Sequence, residues 1–205
     1  LMQSTLADQR FDSLPSTLKK RGYQTNFLYS GDLAWECLES FFKIQGISHF
    51  VGRDDFDRGS YRDPTWGVSD KELFERANQE FAKANGPFYA TVLTASNHQP
   101  FALPRPLPFP EVTDCGDKNN RMNGIRFADW ALGHFFELAR REAYFRNTIF
   151  VMVGDHGFSV EPNLTELNLL RFHVPLLFYA PELLGSAGRR VHTVAGQLDI
   201  TPTIL

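Results

Sequence analysis

Asp155 and His156 stand between two glycines, in Gly154-Asp155-His156-Gly157, directly after the apolar run Ile149-Phe150-Val151-Met152-Val153. Carboxylate and imidazole are both standard ligands of a divalent metal ion. Adjacent residues can face one ion only where the backbone turns out of its strand, and the glycines supply that turn. Five bulky apolar residues in succession read as a strand buried on both faces, as inside a parallel sheet. In open α/β sheets ligands gather at the carboxyl ends of strands, where this pair falls. Taken alone, the tetrapeptide also fits ordinary loop punctuation, with Asp155 satisfying backbone amides and His156 solvated.

Two further polar clusters follow strand-like segments. Residues 23–29 run into Ser30-Gly31-Asp32, and residues 87–95 run into Ser96-Asn97-His98. The elements between them alternate. Residues 14–21 carry helical signals that end at Arg21-Gly22, and Ala34, Leu38, Phe41, Phe42 and Gln45 share a helical face stopped by Gly46. Ile47 to Val51 offers a short strand, residues 52–66 a polar surface loop, and Ser69-Asp70-Lys71-Glu72 a capping box opening a helix with Leu73, Phe74, Ala77, Phe81 and Ala84 inward. Five prolines between 100 and 110 keep the next loop irregular. Ile125, Ala128, Leu132, Phe135, Phe136 and Ala139 predict an amphipathic helix, with Asp129 on its apolar face. Val174 to Tyr179 is the last strand. Strands separated by helices predict an α/β fold: a three-layer α/β/α sandwich on a mostly parallel sheet. If its strands are parallel neighbours, the three polar clusters share one rim.

A chain of 205 residues suits one domain with a full core, and nineteen phenylalanines with 42% hydrophobic residues supply it. A net charge of −3 is too small to indicate a nucleic-acid partner. No apolar stretch approaches the roughly eighteen residues of a membrane span, and no signal peptide is evident. Cys37 and Cys115 have no metal spacing and read as free packing residues, with a single bridge as the alternative. The start at leucine and the end within Thr201-Pro202-Thr203-Ile204-Leu205 predict a piece of a longer protein, truncated at both ends.

Ordered along the chain, Leu-Lys-Lys-Arg-Gly-Tyr (18–23), Ser-Gly-Asp (30–32), Trp-Gly-Val-Ser-Asp (66–70), Ser-Asn-His-Gln-Pro-Phe (96–101), Phe-Ala-Asp-Trp-Ala-Leu-Gly (127–133), Gly-Asp-His-Gly (154–157) and Gln-Leu-Asp-Ile-Thr-Pro-Thr (197–203) resemble one family. It is the sulfatase-like, alkaline-phosphatase-superfamily domain of lipoteichoic acid synthases and bacterial phosphoglycerol transferases. The resemblance implies that residues 1–205 form a single catalytic-domain piece with an alkaline-phosphatase-like fold. It implies that Asp155 and His156 are two ligands of a catalytic divalent ion, manganese, magnesium or zinc. The remaining ligands and a threonine or serine nucleophile would precede Leu18 and lie outside this chain. His98 would contact the transferred group as a phosphate ligand or leaving-group acid, or else bond to loop backbone as a strand-end histidine. Asp32 matches a position that contacts glycerol in the synthases, and equally suits a cap for the helix near Leu33. Trp35 keeps an aromatic of the substrate pocket. His173, in His173-Val174-Pro175, lines the site or a second metal position, or is a buried histidine with one backbone partner.

The chain departs from the synthase pattern at Ser30, where those enzymes often carry histidine, and at Glu39, near the position of a phosphate-binding arginine. His49, His134 and His192 read as structural or solvated. Asp129 tunes the site or is a buried, satisfied carboxylate, and Asp199 caps the helix opened by Thr201-Pro202.

The resemblance implies a metal-dependent phosphoglycerol transferase or hydrolase acting through a phospho-enzyme. Its substrate would be a phosphoglycerol-bearing lipid or glycan, and its parent protein membrane-anchored with extracytoplasmic chemistry. Residues 1–205 alone would lack turnover, and an exposed sheet edge would invite dimerisation. A sulfate-ester hydrolase and a non-catalytic binding domain on the same fold are the alternatives.

Overall fold

The computed structural model describes residues 2, 4–158, 166, 168–185 and 187–205. The chain divides into two units, Leu1–Ala139 with Ala195–Leu205, and Arg140–Val194.

In chain order the first unit carries α1 (Leu14–Lys20), β1 (Gln24–Tyr29), α2 (Leu38–Ile44), β2 (His49–Val51), β3 (Arg62–Asp63), β4 (Gly67–Val68), α3 (Asp70–Ala82), β5 (Phe88–Leu93) and α4 (Asn119–Ala139). Strands β2, β1 and β5 form a parallel sheet in that order, with Phe27 opposite Phe50 on one side and Thr91 on the other. Side chains alternate across β1 and so address two layers. Phe27 and Tyr29 are buried with Leu38 and Ile47, and the Phe27 ring stacks on Phe42 of α2 at 4.6 Å. Residues in register with Gln24 face the other way: Phe88 stacks on Phe81 of α3 at 5.0 Å, and α3 meets α4 through Phe74 and Phe135 at 5.3 Å. Helices therefore cover both faces of a parallel sheet, the α/β arrangement that the alternation predicts.

Several expectations change in this unit. The helix expected from Ala34 begins only at Leu38, because Glu36 and Cys37 take left-handed backbone, φ 48° and 61°, after a 3₁₀ turn at Trp35. The polar loop 52–66 holds half of an antiparallel hairpin, β3 with β4. Asp63 builds its turn, one carboxylate oxygen accepting from the Thr65 and Trp66 N–H groups at 2.6 and 2.9 Å. Ser69 does not close a capping box: its hydroxyl donates to the Glu72 carboxylate instead of accepting from the backbone. On α4 the buried stripe is Phe127, Ala131, Phe135 and Ala139, a repeat of four that follows the ridge packed on α3. Ile125 and Asp129 fall off that stripe and are exposed. Leu73, Phe74, Ala77 and Phe81 are buried as the spacing predicts, while α3 ends before Ala84.

The second unit is built on β6 (Phe150–Val153) and β7 (Leu176–Tyr179), which pair antiparallel with Val153 opposite Leu176. Pro175 precedes β7, where a missing N–H costs no ladder bond. The expectation of a strand buried on both faces fails for 149–153: Ile149 and Val153 are 45% and 44% exposed. The reason is local: β6 pairs here with β7 alone and packs its Phe150 ring against Phe145 and Tyr179. A short helix, α5 (Pro181–Leu184), follows.

Cys37 and Cys115 are free, as expected, but exposed rather than packed. Asp199 accepts from the Gly196 N–H at 2.7 Å and so supports the 3₁₀ turn before it, but its side chain does not cap the helix Ile200–Ile204. Among the described residues no helix is long and apolar enough to cross a membrane.

Candidate functional site

Tyr29 and Leu93 are in register on neighbouring parallel strands, so Ser30-Gly31-Asp32 and the segment carrying His98 leave the sheet at the same end. At that end lies a cleft of about 410 Å³, lined by Tyr29, Asp32, Trp35, Arg53 and Trp66 among others. Asp32 uses its two oxygens differently. One oxygen accepts from the Ala34 N–H at 2.9 Å and shapes the turn; the other lies 3.7 Å from the Arg53 guanidinium inside the cleft.

Trp66 organises the rim. Its indole N–H donates to the Gln99 carbonyl at 2.6 Å, its ring meets His98 at 4.4 Å, and Trp35 approaches it edge-on at 5.7 Å. Gly67 makes this possible. Its φ is +104°, and an added Cβ would lie 2.0 Å from the Ser30 carbonyl oxygen, so only glycine lets the hairpin press against the end of β1. Burial pushes the Tyr29 phenol above its ordinary pKa, with Arg53 opposing the shift.

The loop carrying His98 is tied down from below. Asp70, fully buried at the start of α3, accepts from the Ala95 and Ser96 N–H groups at 2.9 and 3.1 Å. Its own N–H donates to Ser96 Oγ at 2.9 Å. Its second oxygen has no partner, and desolvation pushes this carboxyl above the usual carboxylate range. His98 is exposed, with Nδ1 3.0 Å from the Gln99 carbonyl. That contact assigns the proton to Nδ1 and leaves Nε2 open to a ligand.

In the second unit Asp155 and His156 follow β6. The His156 N–H donates to Asp155 Oδ1 at 2.7 Å, and His156 Nδ1 lies 3.0 Å from the Gly157 carbonyl. Asp155 Oδ2 and His156 Nε2 are 3.6 Å apart. Metal–ligand bonds of about 2.0–2.2 Å at a tetrahedral centre separate donor atoms by roughly 3.3–3.6 Å, so this pair has the spacing of two ligands of one ion. The carbonyl on Nδ1 fixes the tautomer that such a ligand needs. Among the described residues no three His, Cys, Asp or Glu side chains gather as a complete set. The Gly157 N–H donates to the Arg171 carbonyl at 2.5 Å and Gly154 packs against Val174, so the segment with His173 runs beside the Asp155-His156 loop. His173 is exposed, which corrects the buried-histidine alternative.

A family model decides the relationship: the one described as sulfatase matches residues 2–205. The chain belongs to the sulfatase family. Two relatives of this sulfatase-family chain are the lipoteichoic acid synthase-like protein YvgJ and lipoteichoic acid synthase 2 of Bacillus subtilis. YvgJ is 26% identical over 98% of the chain and 35% of its own length. Lipoteichoic acid synthase 2 is 27% identical over 97% and 32%. The chain thus spans about a third of the length of these relatives. A solved structure of an alkaline-phosphatase-superfamily protein from Vibrio parahaemolyticus covers 99% of the chain and 48% of its own, with 28% identity and a TM-score of 0.84. The fold is therefore that of the alkaline phosphatase superfamily, as the resemblance implies.

Arg53 and Trp66 escaped assignment from sequence. Trp66 sits in a family-like motif without a role attached, and Arg53 lies in a segment whose polar composition reads as surface. The signal for Trp66 was Gly67, a lone glycine between an aromatic and an apolar residue; Arg53 carries no such neighbour. His134, by contrast, is structural as expected, bonded to Glu75 at 2.9 Å and stacked on Trp130.

Proposed function

We propose that this sulfatase-family chain serves metal-dependent transfer or hydrolysis of a phosphoglycerol-type group through a covalent phospho-enzyme. The observation that carries the reading is the 3.6 Å spacing of Asp155 Oδ2 and His156 Nε2, two metal-type donors in one short loop. These two residues would hold a divalent ion. Once bound, that ion polarises phosphoryl oxygens and acidifies a nucleophilic hydroxyl. The nucleophile and the remaining ligands would come from outside residues 1–205, so these residues alone do not turn over.

The other residues take their roles from their chemistry. His98 Nε2, as imidazolium, donates to a phosphoryl oxygen or protonates the departing alcohol. Asp32 accepts from substrate hydroxyls with the oxygen not used by Ala34. Trp35, 44% exposed, covers the glycerol carbons. His173 lines the approach to the Asp155-His156 loop. Substrate recognition would involve a phosphoglycerol-bearing lipid or glycan, with chemistry outside the cytoplasm on a membrane-anchored parent, as its relation to lipoteichoic acid synthases supports. An exposed edge of the β2-β1-β5 sheet is the surface through which a dimer would form.

The test is phosphoglycerol release or transfer from phosphatidylglycerol by the full-length protein, with and without chelator. Expected is metal-dependent turnover, lost by at least about a hundredfold in Asp155→Ala and in His98→Ala. Turnover that survives both the chelator and Asp155→Ala refutes the reading.

A further inference from the structure

We propose that Arg53 is the anion anchor of the cleft, and that with Asp32 it forms a subsite for a phosphate ester of a small polyol. The inference rests on the phosphoglycerol reading and deepens it, by assigning the phosphate-binding group to a loop for which the resemblance supplies no such role.

Arg53 is held by its backbone and only loosely paired at its tip. Its N–H donates to the Gly31 carbonyl at 2.9 Å, and its own carbonyl accepts from the Arg62 guanidinium at 3.2 Å. The preceding Gly52 N–H donates to Asp55 Oδ2 at 2.8 Å, closing the turn. The backbone at this residue is thus fixed beside Asp32 before any ligand arrives, so little backbone ordering entropy is lost on binding.

Its guanidinium has weaker ties. The side chain is 45% exposed, and Asp32 Oδ2, at 3.7 Å, is beyond hydrogen-bond reach. An exposed pair of this kind is easily displaced. A phosphate offers more charge and two oxygens that match the planar guanidinium fork. When phosphate takes the fork, the Asp32 oxygen facing the cleft is left for a hydroxyl one or two carbons away. The edge-to-face pair of Trp35 and Trp66, 5.7 Å apart, supplies apolar walls for the carbons between. Glu39, which stands near the position of the family's phosphate-binding arginine, is exposed on α2 and carries the wrong charge for that task. Arg53 brings a cation to within 3.7 Å of Asp32.

The ligand chemistry is a phosphate ester next to a hydroxyl, whether on a lipid headgroup or on a soluble or glycan-borne ester. The test is calorimetric titration of the chain with glycerol phosphate and with glycerol, comparing wild type, Arg53→Lys and Arg53→Gln. Circular dichroism verifies folding, which the backbone contacts of Arg53 should preserve in both variants. Glycerol phosphate should bind at least about tenfold more weakly to Arg53→Gln, with Arg53→Lys between the two, and glycerol should not discriminate among them. Phosphatidylglycerol vesicles, compared with phosphatidylcholine vesicles, form the second arm. Arg53-dependent binding of the anionic vesicles assigns a lipid headgroup; Arg53-dependent binding of the soluble ester alone assigns a soluble or glycan-borne one.

Equal affinity in wild type and Arg53→Gln overturns the anchor, as does a wild type that binds neither glycerol phosphate nor anionic vesicles. The transferase reading is judged separately, by turnover of the full-length protein. Turnover with an unchanged KM in Arg53→Gln removes the anchor and keeps the function. Arg53-dependent binding without any turnover keeps the anchor and removes the function.

Discussion

Asp70→Ala removes a buried carboxylate whose one oxygen accepts from both Ala95 and Ser96 N–H groups. Each N–H left without a partner in a buried setting costs about 1–3 kcal/mol. A water-sized cavity of about 10 Å³, lined by Ser69, Ala95 and Ser96 among others, lies alongside and can admit a replacement donor or acceptor. The low half of the range therefore applies, and the expected loss is about 2–4 kcal/mol, or roughly 10 °C in Tm for a chain of this size. Asp70→Asn keeps an acceptor oxygen in the same place and should cost under about 1.5 kcal/mol. The two variants also differ in their dependence on pH. Desolvation raises the folded carboxyl above its unfolded value of about 3.9, with Glu72 adding to the shift. Between the two values the native chain holds a proton that the unfolded chain has lost. Stability from this group is full below the unfolded pKa and falls as pH rises through the folded one. Chemical denaturation followed by circular dichroism from pH 4 upward should show that decline in wild type and a flatter profile in Asp70→Asn. Amide exchange at Ala95 and Ser96 should accelerate in Asp70→Ala. An alanine variant within about 1 kcal/mol of wild type, or an asparagine variant as damaged as alanine, refutes the account of Asp70 as the latch beneath the His98 loop.

Gly67→Ala sets a Cβ 2.0 Å from the Ser30 carbonyl oxygen at a φ of +104°, so a loss of about 2–4 kcal/mol in urea unfolding is expected. It should come with a changed Trp66 emission spectrum; a neutral effect would mean that the hairpin does not press on β1. Phe81→Ala removes a ring 6% exposed between Phe88 and Phe135, and about 3–5 kcal/mol should be lost. A smaller change would show that α3 and β5 are not joined by this contact. Cys37 and Cys115 are both free and exposed, so an aromatic disulfide reagent should titrate two thiols per native chain without denaturant. Slow modification that requires denaturant would contradict their placement.

The layers were legible because they rest on periodicity. The spacing of Leu73, Phe74, Ala77 and Phe81 encodes a face, and the alternation of strand-like with helical segments requires crossovers that cover the sheet. What composition cannot encode is a side chain acting on the backbone. The hairpin of β3 and β4 has two residues per strand, too few to show alternation, and depends on Asp63 bonding its own turn and on the positive φ of Gly67. Hence Trp66 and Arg53, which give the cleft a wall and a cation, were hidden in a stretch that reads as polar surface. The same limit explains 149–153. An apolar run reports how much burial a strand can use, whereas its actual neighbours are set by residues far away in sequence, and β6 pairs antiparallel with β7. Asp155 and His156 stand out for the opposite reason: two donors of metal-ligand type in adjacent residues need no long-range information to be noticed. On the function proposed above, a third ligand, a nucleophile and an anion anchor would come from other segments. The proposed anchor is such a case, because Arg53 comes within 3.7 Å of Asp32 only once the fold has brought the loop after β2 beside the end of β1.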